Sequence, residues 1–213
     1  YGDPALVVDR TTGTILCIFN GENGFWGSTS DNPQKIFVCK STDNGQTWSP
    51  KVDITAQLYA KNCSHPERQT WQGLFVTAGA AVQLRSGRIL AVANVRAPTN
   101  SNDSGVRNYA IYSDDGGDTW DVSINSPGLD AAEAKIAERN NGDLLMSTRH
   151  VKNRWFSISK NKGLTWEPYY VSQEIIEPGC NGDMVLYTSI KDGFDKNRLV
   201  HSIPFSQTSR SNL

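Results

Sequence analysis

Glu133 and Arg149 stand sixteen positions apart, with Gly142 between them. By residue type they are a carboxylate and a planar, permanently charged guanidinium. Two antiparallel strands joined by a tight turn at Gly142 return both residues to the same end of the pair. A surface Glu and an ordinary strand-end Arg are the plain alternative. Other reactive types are scattered. Cys17, Cys39, Cys63 and Cys180 contain no CxxC pair and have no His at ligand spacing, so no metal site is expected. Cys17 and Cys39 lie in the apolar runs ILCIF and IFVCK, which reads as two free, buried thiols. His65, His150 and His201 match no triad spacing, and His150, next to Arg149, is expected to line a channel.

The elements that must position these residues show themselves as repeats. Ser-x-Asp-x-Gly-x-Thr-Trp occurs at residues 41–48 and 113–120, with a weaker copy at 159–166 where Asn161 replaces Asp. Ahead of each box comes a Gly turn feeding an apolar strand: Gly13-Thr14-Ile15-Leu16, Gly87-Arg88-Ile89-Leu90 and Gly142-Asp143-Leu144-Leu145. An imperfect fourth copy is Asn197-Arg198-Leu199-Val200. The order never changes: apolar strand, Gly turn, apolar strand, then a strand ending in the box. As a turn, the box uses Ser and Asp to bond its own backbone, Gly for positive φ, and Trp to cap the apolar layer beneath. No segment carries a 3.6-residue period over several turns. The Ala-rich stretch 130–137 fits a short helix or a strand entering the Gly142 turn. Four strands per repeat predict an all-β fold, a β-propeller. Three blades are expected at about residues 1–65, 66–130 and 131–177, with an incomplete fourth at 178–213, all parts of a single domain. Three and a half blades cannot close a ring, so the chain reads as an internal piece of a longer domain.

The boxes resemble the Asp-box repeats of sialidases (neuraminidases), and the whole chain is similar to the middle of a bacterial exo-sialidase domain, a six-bladed propeller. In that resemblance Asp43, Asp115 and the box tryptophans are structural. The stretch from Glu133 to Arg149 resembles the family segment in which Glu is the base activating a tyrosine nucleophile and Arg belongs to a three-arginine cluster gripping the sialic acid carboxylate. Ser206-Gln207-Thr208-Ser209-Arg210-Ser211-Asn212-Leu213 resembles the segment giving the third arginine, which implies Arg210 as a substrate-binding residue. Arg198 competes, but it falls in a repeat turn. Asp3, in Gly-Asp-Pro-Ala, resembles an Asp near the substrate ring; a turn-stabilising Asp is the alternative. The family's Arg-Ile-Pro motif, its acid/base Asp and its nucleophilic Tyr have no counterpart in these residues. Tyr187 lies before Arg210, inside a strand, and is no substitute.

The resemblance implies a retaining exo-α-sialidase acting on sialylated glycans, without metal or cofactor, in a secreted or periplasmic setting; residues 1–213 alone are expected to be inactive. The chemistry is coherent. An anionic nucleophile would be repelled by the carboxylate on the carbon under attack, whereas a neutral phenol is not, and a phenol needs a base beside it. Composition agrees. With 21 basic and 22 acidic side chains among 213 residues, nothing draws the chain to nucleic acid or an anionic membrane. No apolar run approaches the about 18 residues of a spanning helix. Two other classes fit the scaffold: a non-catalytic Asp-box propeller that binds glycan or protein, and a glycosidase with paired carboxylates. The second needs an acidic partner facing Glu133, and no motif supplies one.

Overall fold

The box turns decide where the chain reverses. In the computed structural model, which describes residues 1–98, 105–130 and 132–210, the three boxes share one hydrogen-bond pattern. Ser41 Oγ accepts from Gly45 N at 2.9 Å, and Asp43 accepts from Thr47 N and Thr47 Oγ1 at 2.9 and 2.6 Å. Ser113, Asp115, Gly117 and Thr119 repeat this at 2.8, 2.9 and 2.6 Å. At Asn161 the Oδ1 still accepts from Thr165 N, but the amide donates to Thr165 Oγ1, so Asn reproduces the turn without the charge. These bonds hold Asp43 and Asp115 at about 2, below the usual carboxylate range; in Asp115 they outweigh the opposing effect of burial.

Strands follow the expected order in four sheets. The first holds β1 (Gly2–Val8), β2 (Ile15–Glu22), β3 (Gln34–Ser41) and β4 (Val52–Asp53). The second holds β5 (Gly73–Val76), β7 (Val82–Gln83), β8 (Ile89–Arg96), β9 (Val106–Ser113) and β10 (Asp121–Val122), while β6 (Gly79–Ala80), between β5 and β7 in the chain, is the fifth strand of the first sheet. The third is β11 (Ala134–Glu138), β12 (Leu144–Thr148), β13 (Val151–Ser159) and β14 (Tyr170–Pro178); the last is β15 (Asp183–Thr188) with β16 (Arg198–Ser202). Residues 134–138 are thus strand, the second of the two sequence readings. Among the described residues the only α-helix is a single turn, α1 (Thr55–Leu58).

Apart from the parallel pairing of β6 with β1, neighbouring strands within each sheet are antiparallel, and the sheets stack face to face. Leu16, Ile18, Leu74, Val76 and Ile111 fill the space between the first two; Leu90, Ile136, Leu144 and Met146 join the second to the third; Ala137, Phe156 and Met184 join the third to the fourth. The leading strands stand side by side. β6 runs parallel to β1, β7 touches both β1 and β11, and β11 touches β15. This is the arrangement of propeller blades around an axis.

The boxes also lock sheet to sheet. A Cβ on Gly117 would collide with Leu16 Cδ2, and one on Gly163 with Leu90 Cδ2, so each of these turns seats on the sheet before it. Trp120 and Trp166 are buried accordingly. Trp48 departs from the capping expectation and is 42% exposed, because the first box has no preceding sheet among the described residues to sit on. The cysteine reading also needs correction. Cys17 and Cys39 face each other in register across β2 and β3 but are only half-buried. They lie on the face opposite Leu16 and Ile18, which is covered by a local cluster of Tyr1, Phe19 and Phe37 rather than by a neighbouring sheet. Burial and the neighbouring Cys39 push the Cys17 thiol up to about 11, and all four cysteines are free.

Candidate active site

Register places the site. Ala134 pairs with Thr148 in the β11–β12 ladder, and one step beyond it Arg149 N donates to Glu133 O at 2.9 Å. The side chains then meet, with Arg149 Nη1 2.6 Å from Glu133 Oε2. Both are partly exposed, at 29% and 23%, so the pair is open to a ligand. A guanidinium has five N–H donors, and the contact with Glu133 occupies one nitrogen. The backbone ahead of Glu133 is fixed from below: buried Asn108 donates to Ala132 O at 2.8 Å and to Asn94 Oδ1 at 2.6 Å, and accepts from Tyr169 Oη at 2.7 Å. Thr77 Oγ1 holds Ala134 O at 2.8 Å.

A cavity of about 550 Å³ opens beside the pair. Asp130, Glu133 and Arg149 supply its charged lining; Phe25, Trp26 and Phe75 form an apolar wall. The aromatic wall is a stack of contacts, Trp26 edge-on to Phe25 at 5.0 Å and Phe25 on Phe75 at 6.0 Å. Arg96 pins this loop through Nη2 bonds to Phe25 O, Ser28 O and Gln72 O. A charged grip facing an apolar wall suits a ligand with an anionic group at one end and apolar surface at the other.

The other two sequence candidates lie elsewhere. Arg210 Nη2 donates to Gly179 O at 3.1 Å, in the loop after β14. Because Val151 pairs with Pro178, that loop lies at the same end of the third sheet as Arg149. Asp3 is exposed, has a positive φ of 53° at an irregularity of β1, and does not line the cavity. His150, expected to line a channel, stacks on Trp155 at 3.8 Å. Arg198, the competitor to Arg210, is spent on Asp195 at 2.8 Å.

Sequence reasoning missed a buried group next to the pair. Arg154 and Glu177 are both fully buried and 3.1 Å apart. Missed too was Lys135, whose Nζ reaches Asn181 Oδ1 at 3.1 Å; burial lowers its ammonium against the partial offset of Asp183. Alternation was the available signal for Arg154, which shares the inward face of β13 with Phe156.

Comparison with known proteins now decides the family. The chain matches the BNR repeat-like domain over residues 1–202. It belongs to the BNR repeat-like family. Among its relatives, this BNR-repeat chain is 29% identical to a sialidase of Micromonospora viridifaciens over 99% of its own length and 33% of that protein. It is 30% identical to a sialidase of Paraclostridium sordellii, over 88% of its own length and 49% of that protein. Its fold matches the solved Hadza microbial sialidase Hz136 with a TM-score of 0.80 at 24% identity, covering 97% of this chain and 40% of that one. A leech intramolecular trans-sialidase, solved with 2,7-anhydro-Neu5Ac, matches with a TM-score of 0.79 at 16% identity, over 100% and 45%. The all-β fold is therefore that of the sialidase propellers. The chain spans between a third and a half of the length of these two bacterial relatives.

Proposed function

We propose that the full-length protein is a retaining exo-α-sialidase, hydrolysing terminal sialic acids from glycoconjugates. The observation that carries this reading is the meeting of Glu133 and Arg149 at 2.6 Å on the rim of an aromatic-walled cavity. In this reading Arg149, assisted by Arg210, holds the sialic acid carboxylate, and Glu133 takes the proton of a tyrosine phenol as that oxygen attacks the anomeric carbon; the glycosidic bond breaks, and the aglycone leaves as an alcohol whose oxygen is protonated by the acid/base Asp assigned outside residues 1–213. A second displacement by water on the glycosyl-tyrosine then restores the original configuration. The nucleophile is assigned outside residues 1–213. Tyr169 already spends its hydroxyl on Asn108 and burial raises its phenol, while burial also raises Tyr109. Asp3 is proposed to approach the sugar ring from the first sheet.

The relatives are sialidases, and the resemblance of the Glu133–Arg149 segment to theirs supports these roles for the two residues. Since the chain spans only part of those relatives, residues 1–213 alone are expected to release no sialic acid. The substrates support an extracytoplasmic location, secreted or periplasmic. The test is turnover of a fluorogenic α-sialoside by the full-length protein and its Glu133→Gln form, with the anomer first released followed by NMR. The α-anomer first, with turnover lost in Glu133→Gln, is the expected result. Sialoside binding without any turnover would replace this reading with a non-catalytic glycan-binding propeller.

A further inference from the structure

Glu177 is the next-to-last residue of β14, in the third sheet, and lies outside the cavity, yet its carboxylate reaches the backbone on both sides of the candidate anion grip. Oε1 accepts from His150 N at 2.5 Å, the amide immediately after Arg149. Oε2 accepts from Cys180 N at 3.3 Å and from Arg154 Nη1 at 3.1 Å. Arg210 donates to Gly179 O, one residue before Cys180. Arg154 completes the frame, with Nε on Ser147 Oγ at 2.8 Å and Nη1 on Cys180 O at 3.0 Å. Ser147 Oγ also meets His201 Nε2 of β16 at 3.0 Å. One fully buried ion pair thereby ties together β12, β13, β14 and the loop that receives Arg210.

A buried ion pair is a poor source of stability, since desolvation offsets most of its attraction. Its retention needs another reason, and its contacts supply one. We propose that Glu177 and Arg154 are positioning residues that set Arg149 and Arg210 at the spacing of a single carboxylate, so that the pair governs discrimination for the acid function of the substrate. This rests on the sialidase reading of Arg149. Both Glu177 oxygens accept hydrogen bonds, so a Gln there must turn its NH₂ toward one of the donors. An Asp retracts the carboxylate by one methylene.

The experiment compares kcat and KM of the full-length protein for an α-sialoside and for the methyl ester of the same sialoside, alongside the melting temperature. Arg149→Ala, Glu177→Gln and Glu177→Asp are compared with the wild type. A role in folding alone lowers the active fraction and kcat for both substrates equally. Positioning instead raises KM for the acid, and the wild-type preference for acid over ester shrinks about 10-fold in a folded Glu177 variant. If Arg149→Ala erases that preference while folded Glu177→Gln or Glu177→Asp keeps it, the positioning role is overturned and the grip stands. If Arg149→Ala leaves the preference intact, the grip itself is wrong. Failure of both Glu177 variants to fold assigns Glu177 to folding and overturns the inference.

Discussion

Replacing Arg149 isolates the grip, because its contacts separate binding from folding. Its ion pair with Glu133 is partly exposed, and such pairs contribute about 1 kcal/mol or less to stability. The backbone bond from Arg149 N to Glu133 O survives any side chain, so Arg149→Ala is expected to fold with a melting temperature within a few degrees of wild type. Binding is another matter. A charge-assisted hydrogen bond to a carboxylate is worth about 1.5–3 kcal/mol, which at about 1.4 kcal/mol per decade predicts a KM for an α-sialoside raised about 10- to 100-fold. Arg149→Lys keeps the charge and loses the planar fork, so a rise of about 5- to 10-fold is expected. The assay is initial-rate kinetics of the full-length protein at constant ionic strength, with the melting temperature measured on the same samples. A folded Arg149→Ala protein with wild-type KM would refute the reasoning.

Glu133→Gln keeps an acceptor for Arg149 but cannot take a proton; kcat should fall about 10²- to 10⁴-fold with KM little changed, and near-wild-type kcat would remove Glu133 from the base role. Asp115→Ala strips the second box of its acceptors for Thr119 and Ser113 and should cost about 2 kcal/mol in chemical denaturation without altering KM. Gly163→Ala combines a left-handed φ of 84° with a Cβ driven against buried Leu90 and should cost about 2–4 kcal/mol; a neutral result would contradict the seating of the box on the second sheet. Burial, reinforced by Arg154, holds His201 down at about 4 in the folded chain against an ordinary 6.5. The unfolded state then binds more protons between those values, so melting temperature should fall as pH drops from 6.5 to about 4, and His201→Gln should flatten that slope.

The repeats made the fold legible because each box is a local device: its hydrogen bonds close within eight residues, and its Gly and Trp mark where it must seat. That Glu133 and Arg149 would meet was legible because a tight turn fixes register over a short loop, while the roles proposed for them rest on the family resemblance. Burial of the box tryptophans was legible only where a preceding sheet exists, which is why Trp48 differs from Trp120 and Trp166. The faces of Cys17 and Cys39 were misread, because an apolar run does not say which of its two faces a neighbouring sheet will cover. Arg154 and Glu177 escaped notice for a different reason: they lie 23 residues apart on a bulged strand pair, and nothing local marks them as partners. Phe25 and Phe75 meet across a separation of 50 residues and two sheets, a contact that only packing reveals.

The central claim is that the carboxylate of a sialic acid sits on Arg149 while its anomeric carbon lies within reach of the group served by Glu133. A crystal structure of the full-length protein with sialic acid bound tests it directly. The carboxylate is expected at hydrogen-bond distance from the Arg149 guanidinium, with Phe25 and Trp26 flanking the sugar. A sugar bound with its carboxylate turned away from Arg149 would contradict it.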